Sequence, residues 1–307
     1  MNRRLVLAHG AALAAACVPG FAAPLISQRS SARVIVDNDL AGDPDGLFAL
    51  AHQWLSPTTK TVLVTTTALD AKLAAMAGEP AGRTAAKGRD LALELARIAG
   101  LAAPCPVIAG AESFGIGDAQ VSPAARAIVA EATRDAPLPL FVTCGGPLTN
   151  VAAALRLAPQ IAARLTVIWI GGALEAGGEP EYNLATDADA ARQVLAHPSL
   201  PLWVVPRETY RQLTASVAEL GADLRPISPL SRWLYDRYLQ LPPFVQLGPT
   251  VTLGDSALIH AAVLHREAPP RRVLLGRELP VVDRIDARPL IADLLAKLRF
   301  HAAPTQP

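Results

Sequence analysis

Three cysteines in 307 residues are too few for a disulfide framework. Cys17 falls in an N-terminal leader, which leaves Cys105 and Cys144 beside apolar strand-like runs, where both are expected as buried thiols. An excess of one charge is also lacking. The 28 Lys and Arg against 27 Asp and Glu give a net charge of +1, so electrostatics offers no argument for a nucleic acid or an acidic membrane surface as partner. Beyond the leader no apolar run is long enough for a transmembrane helix. The glycine-containing turns match neither a dinucleotide nor a P-loop fingerprint, and no internal repeat, low-complexity block or domain boundary stands out. Aromatic residues make up only 5% of the chain, but 51% of it is hydrophobic, enough for one large core or two modest domains. Residues 24–307 read as a single domain.

The leader comprises residues 1–23. Asn2-Arg3-Arg4 is a basic start, Leu5 to Cys17 is apolar but too short to span a bilayer, and Pro19-Gly20-Phe21-Ala22-Ala23 supplies small residues for cleavage. This is the pattern of a secretory signal peptide, and it predicts export to a periplasm or the cell exterior. Arg3-Arg4 and Ala15-Ala16-Cys17 leave the twin-arginine and lipoprotein routes as alternatives to simple export.

The densest chemistry follows at once. Val34-Ile35-Val36 reads as a buried strand, and Asp37, Asp39, Asp43 and Asp45 place four carboxylates in nine residues at its carboxyl end. Gly42, Pro44 and Gly46 mark a tight turn before an apolar helical run from Leu47. Ligands of open α/β sheets bind just outside the carboxyl ends of strands. Four like charges this close either raise their pKa values or recruit a cation. With no Cys or His interleaved, the ion is a hard one, Ca²⁺ or Mg²⁺, and so many carboxylates favour Ca²⁺. A structural calcium loop and a solvated acidic turn are the plainer alternatives.

The rest of the chain repeats strand, glycine-containing turn and helix. Strands are expected over Arg33–Asp39, Lys60–Thr67, Pro104–Ala109, Pro139–Thr143, Leu165–Ile170 and Leu202–Val205. Helices are expected from Leu47 to Leu55, Thr84 to Ala99, Ser122-Pro123 to Arg134, and Asp187 to His197. That order predicts an α/β fold with an open, mainly parallel, Rossmann-like sheet and helices on both faces. From Arg207 the pattern turns helical. Short strands are expected near Val273 and Val281, a helix over Pro289–Leu298, and disorder after Phe300. His52, alone on its helix, is expected to be a surface or satisfied side chain.

Four motifs, in order, give the chain a family likeness: Asp37-Asn38-Asp39-Leu40-Ala41-Gly42-Asp43-Pro44-Asp45, then Gly146-Pro147-Leu148-Thr149-Asn150, then Gly171-Gly172 with Glu181-Tyr182-Asn183, and Asp255 opening a late helix. Together they resemble the inosine-uridine-preferring nucleoside hydrolases over most of the mature chain. The resemblance implies one Ca²⁺ per subunit, held by Asp39, Asp45, Asp255 and the backbone carbonyl of Gly145. The first motif is slightly longer than the family's, and the preferred alignment makes Asp43 the base that takes a proton from water. Asp37 would order the cluster, and Glu181 and Asn183 would grip ribose hydroxyls. Asp70 and Glu175 stand where the family carries asparagines at the substrate.

Gly254 stands where the family usually has a histidine, and the usual histidine-bearing loop is replaced near Glu112-Ser113-Phe114-Gly115. The implied reaction is therefore hydrolysis of N-ribosidic bonds in nucleosides or related ribosides, with a leaving group that is unusual or already activated. A homodimer or homotetramer is implied with it. Competing readings are an exported ribose- or nucleoside-binding protein with little turnover, an Asp-x-Asp phosphatase, and a scaffold with a structural ion. Taken without the resemblance, Asp255 reads as an ordinary helix N-cap and Glu181 as a surface residue.

Overall fold

The computed structural model describes residues 29–303, apart from 81, 102–103, 176–178, 243 and 265–266; the leader expected over 1–23 lies outside the described residues. The strands are β1 (Arg33–Asn38), β2 (Lys60–Thr66), β3 (Val107–Ala109), β4 (Leu140–Cys144), β5 (Thr166–Ile170) and β6 (Leu202–Val205). They form one sheet in the order β3-β2-β1-β4-β5-β6, every neighbouring pair parallel. The order reverses between β1 and β4, so a crevice opens at their carboxyl ends.

Parallel strands need crossovers, and helices supply them. They are α1 (Asp45–Trp54), α2 (Ala71–Met76), α3 (Thr84–Ile98), α4 (Pro123–Thr133), α5 (Thr149–Leu157), α6 (Tyr182–Thr186), α7 (Ala188–Ala196), α8 (Arg207–Tyr210), α9 (Val217–Glu219), α10 (Pro229–Arg237), α11 (Ser256–Ile259) and α12 (Ala287–Ala302). Successive strand residues point to opposite faces. Ile35, Val142, Val167 and Val204 thus share one core with Ile128 of α4, Val151 of α5 and Val194 of α7. Val34, Val36 and Val64 pack on the other side with Leu47 of α1, Leu95 of α3, Leu234 of α10 and Leu298 of α12. Ile168, Ile170 and Val205 extend that side against Leu258 and Ile259 of α11. Two small antiparallel pairs lie outside the sheet: β7 (Thr214–Ser216) with β8 (Thr250–Thr252), and β9 (Arg271–Leu274) with β10 (Arg277–Pro280).

Caps decide several boundaries. Ser122 accepts from the Ala125 N–H at 3.2 Å and Pro123 takes the first helical position of α4. The short strands expected near Val273 and Val281 are β9 and β10, the latter ending at Pro280 with Val281 in an isolated bridge to Val204. One sequence expectation is corrected: residues just after Phe300, expected to be disordered, are helical to Ala302, while 304–307 lie outside the described residues. Leu294 and Leu298 bury that helix, and Arg299 and His301 sit favourably at its negative end. His52 is fully buried, paired through Nε2 and without a partner at Nδ1. Its Nε2 lies 2.6 Å from Asp293 Oδ2, which also accepts from Lys297 Nζ at 2.5 Å, tying α1 to α12.

The crevice itself is braced by Asp37. Its Oδ1 accepts from Thr65 Oγ1 of β2 at 2.7 Å and from Asn150 Nδ2 of α5 at 2.8 Å, and Cys144 of β4 donates to Oδ2. Burial pushes the Asp37 carboxyl up to about 6, and these donors hold it from rising further. Both cysteines are buried thiols, as expected. Replacing Asn150 by Ala strips a donor from a fully buried carboxylate, so a loss of about 1–3 kcal/mol is expected in urea unfolding. Asn150→Asp, which sets a second carboxylate against Asp37, should cost more.

Candidate active site

A cavity of about 210 Å³ lies at the carboxyl ends of the sheet and gathers residues from distant loops. Asp39, Asp43 and Asp45 come from the turn after β1, Gly145 from the end of β4, and Glu181 and Asn183 from the segment after β5. Tyr210 comes from α8, and Gly254 and Asp255 from the turn before α11. Leu69, Leu73, Ile170 and Tyr182 complete its apolar wall. A larger cavity of about 720 Å³, lined by Trp203, His260 and Arg284 among others, holds none of the site residues expected from the sequence.

Asp255 decides between its two sequence readings. It occupies the N-cap position of α11, yet its side chain makes no capping hydrogen bond. Its Oδ2 accepts from Asn38 Nδ2 at 2.8 Å, and its backbone N–H donates to Asp45 Oδ2 at 3.1 Å. The carboxylate is 7% exposed and turned to the cavity. Asp45 also accepts from the Gly46 N–H at 2.9 Å. Asn38 follows Asp37 on β1 and therefore faces the opposite side of the sheet, toward α1 and α11. Gly145 is small for a reason of space: a Cβ there would lie 2.4 Å from Asn38 Nδ2 and 2.9 Å from both Asp255 oxygens.

The electrostatics follow from crowding. Burial, then the charges of Asp45 and Asp43, push Asp39 well above the usual carboxylate range. Burial, then Asp255 and Asp43, do the same to Asp45. Asp255 is pushed up to about 8 by burial, with Asp39 adding to it. Asp43 keeps solvent contact at the mouth, and its pKa rises because the surrounding walls remove part of its hydration. Among the described residues lining the cavity there is no Lys, Arg or His. Buried charge of one sign, facing no opposite charge, is costly.

Among the described residues no group of three or more His, Cys, Asp and Glu side chains is arranged to hold a metal ion as it stands. The carboxylates meet through their charges and through the Asp45–Asp255 contact. Their chemistry nonetheless suits a hard cation: the donors are all oxygen, and the buried Oδ1 of Asn38, beside Asp255, has no partner.

On the other wall, Glu181 is only 2% exposed, so it is not a surface residue. Its Oε2 accepts from the N–H groups of Leu184 and Gly172 at 3.0 and 3.2 Å, fixing it at the start of α6. Burial raises its pKa. Asn183 Nδ2 donates to the carbonyls of Gly145 and Ile170 at 3.1 and 3.0 Å, which leaves Oδ1 buried without a partner. Asp37 stands behind the cavity, bracing β1.

Two expected substrate contacts are not brought to the cavity. Asp70 caps α2, its Oδ1 accepting from the N–H groups of Lys72 and Leu73 at 3.0 Å. Glu175 is exposed and lies outside the lining. Glu112, in the loop before the short 3₁₀ turn Asp118–Gln120, accepts from the N–H groups of Ala85 and Ala86 at the start of α3. Three contributors were not singled out from the sequence: Asn38, Tyr182 and Tyr210. Asn38 lies inside the acidic motif, where a buried amide among carboxylates was the available signal. Nothing local marks Tyr210.

A family model described as inosine-uridine preferring nucleoside hydrolase matches residues 34–267. Solved structures with this fold include an inosine-guanosine nucleoside hydrolase, at a TM-score of 0.70 and 16% identity, covering 87% of this chain and 98% of that one. The inosine-uridine preferring nucleoside hydrolase of Bacillus anthracis follows at 0.66 and 16%, covering 87% and 99%. The purine-preferring ribonucleoside hydrolase of Gardnerella vaginalis has 0.64 and 19%, covering 88% and 99%. At these identities the likeness to the solved structures is one of fold. No curated protein matches the chain in sequence.

The raised carboxyls carry a pH signature. Between an unfolded value near 3.8 and a folded value of about 8 for Asp255, the native state keeps protons that the unfolded chain has released. In metal-free protein this contribution falls as pH rises through that window. Asp255→Asn removes it. The variant should therefore gain on the order of 1–2 kcal/mol over the parent at pH 8, and less at pH 5.5, in urea unfolding with chelator present. Because His52 titrates alike in both, the comparison cancels its opposite slope.

Proposed function

Because the chain belongs to the inosine-uridine preferring nucleoside hydrolase family, and is thereby a glycosidase acting on N-glycosyl bonds, we propose that it cleaves the N-ribosidic bond of a nucleoside or related riboside in a calcium-dependent reaction. The observation that supports this reading is the convergence of Asp39, Asp45, Glu181 and Asp255, from separate loops, on one cavity at the sheet's switch point.

Asp39, Asp45 and Asp255, with the Gly145 carbonyl, would hold the ion. When bound, it supplies a positive charge that acidifies water and offsets the repulsion among the carboxylates. Asp43, open to solvent at the mouth, is suited to accept a proton from the attacking water. Glu181 and Asn183 present an acceptor and an unpartnered amide oxygen to ribose hydroxyls. As the bond to the base breaks, the sugar gains positive charge, and the surrounding carboxylates stabilise that state more than the ground state. Asp37 acts at one remove, by holding β1 against β2, β4 and α5.

The leaving group meets a different wall. Gly254 offers no imidazole, and no other His lines the described cavity. Such a site suits a leaving group that departs with little help from a proton donor. The leader supports export, where released nucleosides and free calcium would both be met.

The test is release of free base and ribose from a nucleoside panel that includes an activated aryl riboside. Turnover is expected for at least one member with calcium. A chelator should abolish it and added calcium restore it. Asp43→Asn should lower kcat by roughly 10²–10⁴-fold. No turnover of any member with calcium present would overturn the reading.

A further inference from the structure

A side chain at Gly254 would be tightly placed. Its backbone does not adopt a positive φ. A Cβ at this position would lie 3.1 Å from Cδ2 and 3.6 Å from Cγ of Tyr210, and 3.3 Å from Asp45 Oδ2. The ring of Tyr210 therefore borders closely on the space that a side chain at 254 would enter. Tyr210 ends α8, where its N–H donates to the Pro206 carbonyl at 3.1 Å and its own carbonyl accepts from Leu213 at 3.1 Å. That short helix is anchored on the end of β6, so the ring is held from the backbone upward.

Tyr210 lines the same cavity as Glu181 and Asp255. Burial, then the charge of Glu181, pushes its hydroxyl up to about 12. The second aromatic of the cavity, Tyr182, is tethered through its hydroxyl, which accepts from the Asp70 N–H at 3.3 Å, and is not among the nearest neighbours of a Cβ at Gly254. A ribose is a polyol, and the carboxylates and Asn183 meet its chemistry. A flat apolar ring beside them meets a different group. Aromatic rings are attracted to other rings in offset or edge arrangements and tolerate varied ring chemistry.

We propose that Tyr210 is the specificity-determining wall for the leaving group: its ring, seated on Gly254, is the face against which an aromatic leaving group packs beside the bound sugar. The assignment rests on the N-ribosidic reading for which bond breaks, but it makes a binding claim that needs no turnover. Gly254 and Tyr210 act as a matched pair, the one left without a side chain so that the other can enter the site.

Inosine and free ribose are the probes, titrated by calorimetry into the full mature chain with calcium, alongside steady-state kinetics. The parent should bind inosine more tightly than ribose. Tyr210→Leu should weaken inosine binding about 10-fold and leave ribose binding unchanged. Tyr210→Phe, which keeps the ring, should stay within a few-fold of the parent. Gly254→Ala should weaken inosine binding by displacing the ring, and should add little in the Tyr210→Leu background. Thermal unfolding of each variant separates a lost wall from a lost fold, with Tyr210→Phe as the variant that keeps the packing. Where turnover is seen, the Tyr210→Leu loss should appear in KM more than in kcat. Three results overturn the proposal: equal inosine binding by parent and Tyr210→Leu, a parallel loss of ribose binding, or an equal loss in Tyr210→Phe. Absence of turnover with the binding pattern intact would overturn the hydrolase reading and leave the wall standing.

Discussion

Buried negative charge without a cationic side chain to meet it is the constraint around which this molecule is arranged. Asp39, Asp45 and Asp255 raise one another's pKa values, and burial raises all three. A fold that needed only stability would replace them with apolar residues. Here the surrounding structure holds them together instead. The six parallel strands bring the loops after β1 and β4 side by side, and Asp37 locks that junction through Thr65, Cys144 and Asn150. Asn38 then fixes Asp255 from across 217 positions of sequence. Strain at the site is sustained by satisfied packing just behind it.

The two neighbouring side chains Asp37 and Asn38 show how strand geometry divides the work. The pleat sends Asp37 to the α5 face, where Asn150 donates to it, and Asn38 to the α11 face, where it donates to Asp255. One residue braces the scaffold and the next aims a site carboxylate. A shift of register by one residue would exchange their faces and dismantle both arrangements.

Much of this was legible in the chain. β-branched runs marked the strands, Ser122-Pro123 marked a helix start, and the acidic turn after β1 marked the crevice. The ambiguous positions were those where one residue type serves two ends. An aspartate before a helix reads as a cap wherever it occurs. Asp70 does cap α2, while Asp255, in the same kind of position, leaves its helix uncapped and faces the cavity. Only the three-dimensional neighbours separate them, and for Asp255 these are Asn38 and Asp45. Tyr210 was invisible for a related reason: its significance lies in contact with Gly254, 44 positions away, and a glycine carries no signal of what fills its space. The end of α12 was missed because its last turn is held by long-range contacts, including His301 with the Ala99 carbonyl at 2.7 Å.

Gly254 and the ring of Tyr210 are therefore best read together. A side chain at 254 would press on the tyrosine ring and on Asp45, at 3.1 and 3.3 Å from its Cβ. The glycine leaves the ring room there, and every carboxylate of the acidic wall keeps its place. Charge chemistry directed at a sugar depends on the number and position of those carboxylates, which separate loops supply and the sheet fixes. Selection of a leaving group depends on the shape of the opposite wall, which a single pair of residues can rebuild. Because the two walls belong to different loops, the second can change without disturbing the first.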